Sequence, residues 1–327
     1  MPRQRQAAII GAGVSGLNCA RHLELAGWRV DVFDKSRGAG GRLAVKRLDG
    51  IGSVDLGAQF ITVRTPELLE LFQRAEADGA VGIWQARIAY LTEGASEQAR
   101  AETRWIGTPG MNAWLESVWP RGRIHFNRLV ERIDRQANGL WRLDGGSDEY
   151  DCVVLAMPPA QVLGLAPSAA FSERLQALSM HPCWAALALF DRPLAVDFDA
   201  AFVRVGGLDW MASNCTKPGR TQHTAAWTLH AGPDLSRQLL EEAPEVVGPR
   251  MLEALSHALH AYPRLPASHL AVVHRWRYAA PAHTEGPGVL WDPERALAAC
   301  GDWSVGGRVE GAFTAGRELA LRIAAAL

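Results

Sequence analysis

The hydrophobic pattern at the start of the chain predicts a strand, a glycine-rich turn, a helix and a second strand. The unbroken apolar run 7–10 is typical of a buried strand, and the second strand, 29–33, ends at Asp34. Between them, apolar residues recur at helical spacing and stop before Gly27, where a helix is expected to end. These apolar positions are Leu17, Ala20, Leu23 and Ala26. The order is that of a βαβ unit.

Apolar runs along the rest of the chain predict further strands and helices. We expect strands over 124–126, 129–134, 140–143, 151–157, 184–190, 224–230 and 270–276. The run 151–157 is nearly unbroken and stops at two prolines, which favours a buried parallel strand. Helical spacing predicts helices over 111–119, 245–262 and 311–326. The polar stretch 92–97 is predicted to be a surface turn.

The glycines of the N-terminal turn are placed as a dinucleotide-binding site requires. Gly11 allows a tight turn out of the strand, Gly13 lets the backbone approach a pyrophosphate, and Gly16 lets the helix pack closely on the strand. The helix that starts at residues 14–15 offers free N–H groups and the positive end of its dipole to phosphates. About twenty residues farther on, the carboxylate of Asp34 is placed to accept hydrogen bonds from ribose hydroxyls.

Three separated segments resemble the flavin amine oxidase superfamily. They are the Gly-Gly-Arg sequence that closes 34–42, the Asp-Leu-Gly-Ala-Gln-Phe sequence at 55–60, and the C-terminal segment 301–313. In that family the first runs beside the FAD pyrophosphate, the second passes the flavin ring, and the third holds the ribityl chain. The resemblance implies FAD, bound noncovalently because Cys300 does not match the position of a covalent cysteine. The implied cofactor-binding residues are Gly11, Gly13, Val14, Ser15, Gly16, Asp34, Lys35, Gly40, Gly41, Arg42, Gly57, Ala58, Gln59, Phe60, Val130, Gly301, Asp302, Val309, Glu310, Gly311 and Ala312.

Within that superfamily the chain resembles the bacterial renalase group over essentially its whole length. The segments that carry this resemblance are 34–42, 57–60, 105–111, 208–212, 274–279 and 301–303. The resemblance implies an FAD-dependent oxidase that converts 2- and/or 6-dihydro isomers of NAD(P) to NAD(P)+. A hydride passes to flavin N5, and O2 then takes the electrons and becomes H2O2. Such an electron-rich donor needs no general base, and no Ser/His/Asp or Cys/His arrangement is recognisable in the sequence.

These features together predict an α/β protein with two domains. We expect an FAD-binding Rossmann-like domain of the amine oxidase / p-hydroxybenzoate hydroxylase type, formed discontinuously from 1–63, 105–159 and 293–327. The substrate domain is expected to be α+β with a mixed sheet, formed from 64–104 and 160–292. Only one dinucleotide fingerprint is present, so a pyridine nucleotide is expected as a substrate rather than as a second resident cofactor.

Aromatic and polar residues outside the glycine motifs supply the candidates for a substrate pocket. Trp276 and Tyr278 point to the same face of a strand by alternation, and they either stack on a nicotinamide ring or pack in the core. Gln59 lies in a loop motif that favours a contact with the flavin or with a carboxamide. Trp210 and Asn214 lie in a segment shared with the renalase group and are expected to line the same cavity.

Other residues near these segments are given weaker roles. Arg42 belongs to the pyrophosphate motif, whereas Arg308 either serves the flavin-facing helix or forms a surface salt bridge. Arg277 points away from its aromatic neighbours and is expected to be structural. For Trp227 and His230 a role in the core is favoured over a role in the pocket.

The composition of the 327-residue chain excludes several classes of function. Its formal net charge is -1 and its arginines are scattered, so neither nucleic acid nor an anionic membrane is an expected partner. Every apolar run is too short to span a membrane. The five cysteines contain no CxxC pair, which argues against a metal site or a disulfide framework. The first strand leaves no room for a signal peptide, so a cytoplasmic protein is expected.

Three other functions stay open at this point. A flavin amine oxidase often places a lysine near flavin N5, and 274–278 contains none, but an aromatic cage could still accept a small amine. A flavin-binding protein without rapid turnover would carry the same cofactor motifs. A carotenoid or porphyrinogen desaturase would require a long apolar tunnel or a membrane-facing helix, and the sequence indicates neither.

Overall fold

The fold is described from a computed structural model, over residues 3–93, 95–119, 123–220 and 225–327. The strands are β1 Gln6–Ile10, β2 Arg29–Phe33, β3 Val45–Leu48, β4 Gly52–Asp55, β5 Val81–Ile83, β6 Ile88–Thr92, β7 Ala95–Gln98, β8 Trp105–Gly107, β9 Arg123–His125, β10 Ile133–Arg135, β11 Trp141–Leu143, β12 Cys152–Leu155, β13 Met180–Phe190, β14 Ala200–Val203, β15 Leu208–Ser213, β16 Ala226–Ala231, β17 Ser268–Pro281, β18 Leu290–Asp292 and β19 Leu297–Ala299. The α-helices are α1 Val14–Leu25, α2 Pro66–Ala77, α3 Leu115–Val118, α4 Pro159–Leu165, α5 Ser172–Gln176, α6 Pro233–Gln238, α7 Pro244–Ala258 and α8 Val309–Ala326. Short 3-10 helices lie at Gly41–Leu43, Asn214–Thr216 and Asp302–Ser304.

The N-terminal βαβ unit lies at the centre of a six-stranded sheet of order β18-β19-β12-β1-β2-β9. Neighbouring strands are parallel except for β18, which runs antiparallel to β19. Helices α1 and α8 cover one face, while α4, α5 and the β10–β11 hairpin contribute to the core on the other. Burial on both faces explains the unbroken apolar runs of β1 and β12.

A second, seven-stranded sheet has the order β17-β13-β16-β15-β14-β6-β7. It is antiparallel except for the parallel pair of β14 and β6. Helix α7 packs on one face, and the β3–β4 hairpin of the N-terminal region packs on the other. The second face is therefore turned toward the first sheet. The predicted α/β class with a mixed second sheet is confirmed.

The predicted elements differ from the observed ones mainly in length. Strand β17 extends from Ser268 to Pro281, beyond the predicted 270–276, and β13 likewise begins four residues earlier than predicted. The predicted helix 111–119 is reduced to α3, because turns precede it. The stretch 92–97 connects β6 to β7, although Gly94 lies outside the described residues, as does Thr224 of the predicted strand 224–230. None of the helices in the described ranges combines the length and apolarity needed to cross a membrane.

Candidate functional site

A cavity of about 1720 Å³ opens between the two sheets. Its wall includes the residues that follow β1, β2 and β12, namely Gly11, Asp34 and Ala156, and it reaches Cys183 and Trp276 of the second sheet. The carboxyl ends of parallel strands are where open α/β sheets bind their ligands. A site for one drug-sized ligand has about 300–1000 Å³, so this cavity has room for a dinucleotide and a second molecule.

The glycine turn forms the floor of the cavity near α1. Gly11 has φ +116, and a Cβ there would lie 2.2 Å from the carbonyl oxygen of Ala156, so no other residue fits the turn. Apart from Gly13 and its immediate chain neighbours, no protein atom is found within 4 Å of the Cβ position of Gly13, which lines the cavity. The wall is thus open where a phosphate would meet the backbone and the N-terminus of α1. The residues present fit a dinucleotide.

The carboxylate of Asp34 lies in the cavity wall and is fixed by two backbone groups. Its Oδ2 accepts the N–H of Ala12 at 2.8 Å, and its Oδ1 accepts the N–H of Ser36 at 2.7 Å. Because each carboxylate oxygen has two lone pairs, both oxygens keep the capacity to accept a hydroxyl. This arrangement suits a ribose.

Arg42 joins the first sequence motif to the last one. Its Nη1 and Nη2 donate to Asp302 at 2.8 and 2.6 Å, and Nη1 also donates to the carbonyl oxygen of Ala279 at 2.9 Å. Both Arg42 and Asp302 line the cavity. The bidentate pair fixes the positive group beside the Gly40–Gly41 turn and the carboxylate beside Gly301.

The segment Asp55–Gln59 passes between this arginine and the second sheet. A Cβ at Gly57 would lie 1.9 Å from the carbonyl oxygen of Arg42 and 3.4 Å from Cζ2 of Trp276. Only a glycine permits this approach. Gly57 and Ala58 line the cavity, and the indole N–H of Trp276 donates to the carbonyl oxygen of Leu56 at 3.0 Å.

Most of the predicted cofactor-binding residues lie in the cavity wall. Those that line it are Gly11, Gly13, Val14, Ser15, Asp34, Lys35, Gly40, Gly41, Arg42, Gly57, Ala58, Val130, Gly301, Asp302, Val309 and Ala312. Arg308, for which the sequence allows either a role at the flavin-facing helix or a surface salt bridge, also lines it.

Five predicted cofactor residues lie behind the wall instead. A Cβ at Gly16 would lie 2.0 Å from the carbonyl oxygen of Gly11, so Gly16 serves the packing of helix on strand. Phe60 packs against aromatic side chains of the second sheet, and Gln59 is buried. Glu310 accepts the N–H groups of residues 64 and 65, and Gly311 packs against Val305.

The predicted substrate residues divide in the same way. Trp276 and Tyr278 line the cavity, where β17 bulges so that residues 277–279 lie opposite the single residue Pro182 of β13. Bulges of this kind redirect side chains beside active sites. Arg277 also borders the cavity but pairs with Glu241 at 2.7 and 2.8 Å.

Gln59, Trp210 and Asn214 lie outside the cavity wall. The Gln59 amide donates hydrogen bonds to the backbone oxygens of residues 55 and 57 and accepts one from Lys217. Trp210 packs against Phe60 and Phe202 in the core. Asn214 is buried and donates to the carbonyl oxygen of Ser53 at 3.1 Å. These three side chains support the walls rather than form them.

His230 belongs to the wall, whereas the sequence favours a role in the core for it. Its Nε2 lies 3.0 Å from the carbonyl oxygen of Leu56, and because a carbonyl only accepts, Nε2 carries the proton. Burial lowers the pKa of His230 to about 4, so the ring is neutral at physiological pH. Burial likewise raises the pKa of the nearby Cys183 thiol to about 12. Trp227, in contrast, lies in the core as expected.

Two buried cations behind the segment Asp55–Gln59 were missed in the sequence. Lys217 and Arg220 both pair with Asp55, at 3.3 and 2.6 Å. Burial acts to raise the pKa of Asp55, but the two cations outweigh it and hold the pKa below its usual range. The partners are more than 160 residues apart in sequence, so no local pattern could reveal the cluster.

Two family models match the chain one after the other. Residues 9–75 match the model described as NAD(P)-binding Rossmann-like domain. Residues 77–324, more than half of the chain, match the model described as Flavin containing amine oxidoreductase. The second match includes all seven strands of the second sheet and most of the C-terminal helix, so it does not depend on the glycine turn.

A short segment is also similar to a curated enzyme. It is 40% identical over 76 residues to the 1-hydroxycarotenoid 3,4-desaturase of a Flavobacterium. The match covers 23% of this chain and only 15% of that enzyme.

Solved structures resemble the chain over its whole length. The putative protoporphyrinogen oxidase from Exiguobacterium sp. 255-15 has a TM-score of 0.76 at 14% identity, with 99% of each chain covered. Cyclohexylamine oxidase from Brevibacterium oxydans IH-35A has a TM-score of 0.74 at 15% identity, again with 99% of each chain covered. At such identities the likeness concerns the fold, and it confirms the predicted type of α/β fold.

Proposed function

Since the chain belongs to the family of flavin-containing amine oxidoreductases, we propose that it binds FAD noncovalently and acts as an oxidase of the renalase type. Its substrates would be the 2- and/or 6-dihydro isomers of NAD(P), which leave as NAD(P)+, while O2 becomes H2O2. The six-stranded sheet, with residues 1–63, 105–159 and 293–327, would carry the cofactor. Residues 64–104 and 160–292 would carry most of the substrate pocket, although β18 of this part belongs to the six-stranded sheet.

The observation that carries this proposal is the chemistry of the wall near Gly57 and Ala58. Trp276 provides an aromatic surface there, and burial makes two ionisable groups of the wall, His230 and Cys183, poor bases near neutral pH. The pKa of His230 is lowered to about 4, and that of Cys183 is raised to about 12, in both cases by burial. A dihydronicotinamide ring gives up a hydride without losing a proton to the protein, so this wall lacks nothing that the reaction needs.

The chain's own residues bind and orient the reactants. FAD, when bound, supplies the acceptor for the hydride and the route of the two electrons to O2. Asp34, Arg42 and the N-terminus of α1 would hold the dinucleotide, and Asp302 would face the ribityl chain. Trp276 would orient the nicotinamide ring of the donor, since hydride transfer needs the reacting atoms about 3–3.5 Å apart. The neutral His230 adds polarity to that wall without adding charge.

A small amine remains the second candidate substrate. Asp209 lines the cavity, and a carboxylate near an aromatic surface could attract an ammonium group. Arg204, however, already pairs with Asp209 at 2.9 Å. An amine must also lose a proton before it is oxidised, and the wall residues with shifted pKa values do not favour taking it. The observations therefore support the dihydronicotinamide more strongly.

Anaerobic flavin bleaching tests the proposal directly. The purified holoprotein is mixed with borohydride-reduced NAD+, which contains the 2-, 4- and 6-dihydro isomers, and the flavin absorbance is followed. Pure 4-dihydro NADH and a panel of small amines run in parallel. Rapid bleaching by the mixture but not by pure NADH is the expected result.

Other outcomes separate the alternatives. Bleaching by an amine, with none by the isomer mixture, would assign the protein to the amine oxidases. No bleaching by any donor would favour a flavin-binding protein without rapid turnover. Trp227→Phe is a matched control for variants of Trp276, because Trp227 lies in the core of the same sheet.

A further inference from the structure

A buried cluster of charges lies behind the segment Asp55–Gln59. Nζ of Lys217 is 3.3 Å from Oδ2 of Asp55 and 2.9 Å from Oε1 of Gln59. Nη2 and Nε of Arg220 approach the same Oδ2 at 2.6 and 3.3 Å. The side chains of Lys217, Asp55 and Arg220 are at most 1% exposed. We call Asp55, Gln59, Lys217 and Arg220 the buried cluster.

The buried cluster carries an excess of positive charge. Among the residues that the structure describes, Asp55 is the one carboxylate paired with either cation. Both cations contact Oδ2 of Asp55, and the other carboxylate oxygen, Oδ1, accepts the N–H of Met111 at 3.1 Å. The ring of Trp84 lies 5.3 Å from Nζ of Lys217 and adds a neutral cation–π contact. Two cations therefore face one anion.

The same cluster shapes the segment that borders the cavity. The side-chain oxygen of Gln59 accepts a hydrogen bond from the Lys217 ammonium. Its Nε2 donates to the carbonyl oxygens of Asp55 at 2.6 Å and Gly57 at 3.1 Å. These bonds fold the segment into a turn whose Gly57 and Ala58 line the cavity. The four cluster residues do not line it, so they hold the turn from behind.

An uncompensated buried cation is costly because it has left water. Its free energy falls when negative charge appears nearby, since the interaction is strong in a medium of low dielectric constant. When a flavin takes up a hydride, which carries two electrons and one proton, it gains one net negative charge. The buried cluster is thus arranged to favour the reduced form of a flavin that lies against Gly57 and Ala58.

We propose that Lys217 is a positioning residue that fixes the turn Asp55–Gln59, and that the excess positive charge of the buried cluster favours the reduced state of the bound flavin. The inference rests on the FAD-binding part of the proposed function and not on the identity of the substrate. A charge behind the turn acts on the flavin whatever molecule reduces it.

The charge on Lys217 should depend on pH. Burial lowers its pKa to about 8, and Asp55 opposes this effect while Arg220 adds to it. His230 in β16 also interacts with Lys217, and burial lowers its pKa to about 4, far below that of Lys217. The cluster therefore keeps its excess charge below about pH 8 and loses it as the pH rises further.

The experiment measures the two-electron potential of the bound flavin by dye equilibration at pH 7 and pH 9.5. Lys217→Met preserves the length of the side chain and removes its charge. At pH 7 we expect the ratio of reduced to oxidised flavin at a given potential to fall by about tenfold, which is about 30 mV. At pH 9.5, where Lys217 of the wild type is neutral, the difference should shrink to less than twofold.

Two variants serve as controls. Lys217→Arg should keep the wild-type ratio at pH 7, and Arg74→Met, which removes an exposed charge on α2, should leave the potential unchanged.

Two further measurements keep the test decisive. Gln59→Leu breaks the link from Lys217 to the turn and leaves the charge in place, so FAD affinity should fall about tenfold with an unchanged potential. In the wild type itself, the potential should fall more steeply with pH between about pH 8 and about pH 9, where reduction draws a proton onto Lys217, than just outside this range. Lys217→Met with a wild-type potential at pH 7, a straight pH profile, or wild-type FAD affinity in Gln59→Leu would each overturn the part it tests. Failure of the isomers to bleach the flavin would leave these readouts intact.

Discussion

Arg42 and Asp302 are 260 residues apart in sequence and form a bidentate ion pair, with N···O distances of 2.8 and 2.6 Å. The pair links the segment 34–42 to the C-terminal segment 301–313 in the wall of the cavity. The Asp302 side chain is 8% exposed and the Arg42 side chain 32% exposed, so the carboxylate is the more deeply held partner. Its second role is to accept the N–H of Trp303 at 2.9 Å, which orders the start of the C-terminal motif.

Replacing Asp302 should weaken the retention of FAD. Asp302→Ala leaves the Arg42 guanidinium without its buried partner and removes the carboxylate from the cavity wall. The loss of a charge-assisted hydrogen bond from the cofactor to this carboxylate is expected to cost about 2 kcal/mol of binding free energy, which corresponds to about a 30-fold higher Kd for FAD. The Kd is measured by titrating the apoprotein with FAD. Asp134→Ala, at a more exposed ion pair, is the control, and wild-type FAD binding by Asp302→Ala would contradict the role.

The cofactor side of the cavity was predictable because its signals are local. The turn requires φ +116 at Gly11 and free space beside Gly13 for a pyrophosphate, and both requirements are met by residues close together in the sequence. The substrate side of the cavity was less predictable, because the bulge at 277–279 and the burial of Trp210 depend on contacts between strands that are far apart in sequence. Lys217 carried no signal at all, since its partner Asp55 ends the β3–β4 hairpin, 162 residues earlier in the sequence.

His230 should make stability depend on pH. Its folded-state pKa of about 4 lies below the value near 6.5 of an unfolded chain, so the unfolded state binds the additional proton between these values. Stability is therefore complete above about pH 6.5 and is lost as the pH falls toward 4, by up to about 3 kcal/mol.

The comparison of the wild type with His230→Asn isolates this effect. Urea unfolding with excess FAD is followed from pH 7 to pH 4, and the two curves should converge or cross as the pH falls. Carboxylates titrate in both proteins and cancel in the difference. Parallel curves over the whole range would show that His230 is not the group responsible.

Trp276 should control the rate of flavin reduction more than the binding of FAD. Its indole forms part of the cavity wall and donates to the carbonyl oxygen of Leu56. Trp276→Ala removes the aromatic surface, and misplacement of a donor ring is expected to slow hydride transfer by about tenfold or more. Stopped-flow reduction by the active dihydro isomer measures the rate. Trp276→Phe should keep more of it, and equal rates for wild type and Trp276→Ala would exclude a role in orienting the substrate.

Two glycines only three residues apart should respond in opposite ways to the same substitution. Gly13→Ala meets no protein atom within 4 Å and keeps an ordinary negative φ of -79, so folding should be unchanged to within about 0.5 kcal/mol. The new methyl group enters the cavity where the pyrophosphate is expected, and FAD affinity should fall by about tenfold or more.

Gly16→Ala places a Cβ 2.0 Å from the carbonyl oxygen of Gly11, a backbone atom that can move only if the turn itself is distorted. This variant should lose about 2 kcal/mol of stability whether or not FAD is present. Urea unfolding of both apoproteins and FAD titration decide the matter, because loss of stability in Gly13→Ala would mean that the space beside Gly13 is needed by the fold rather than by the cofactor.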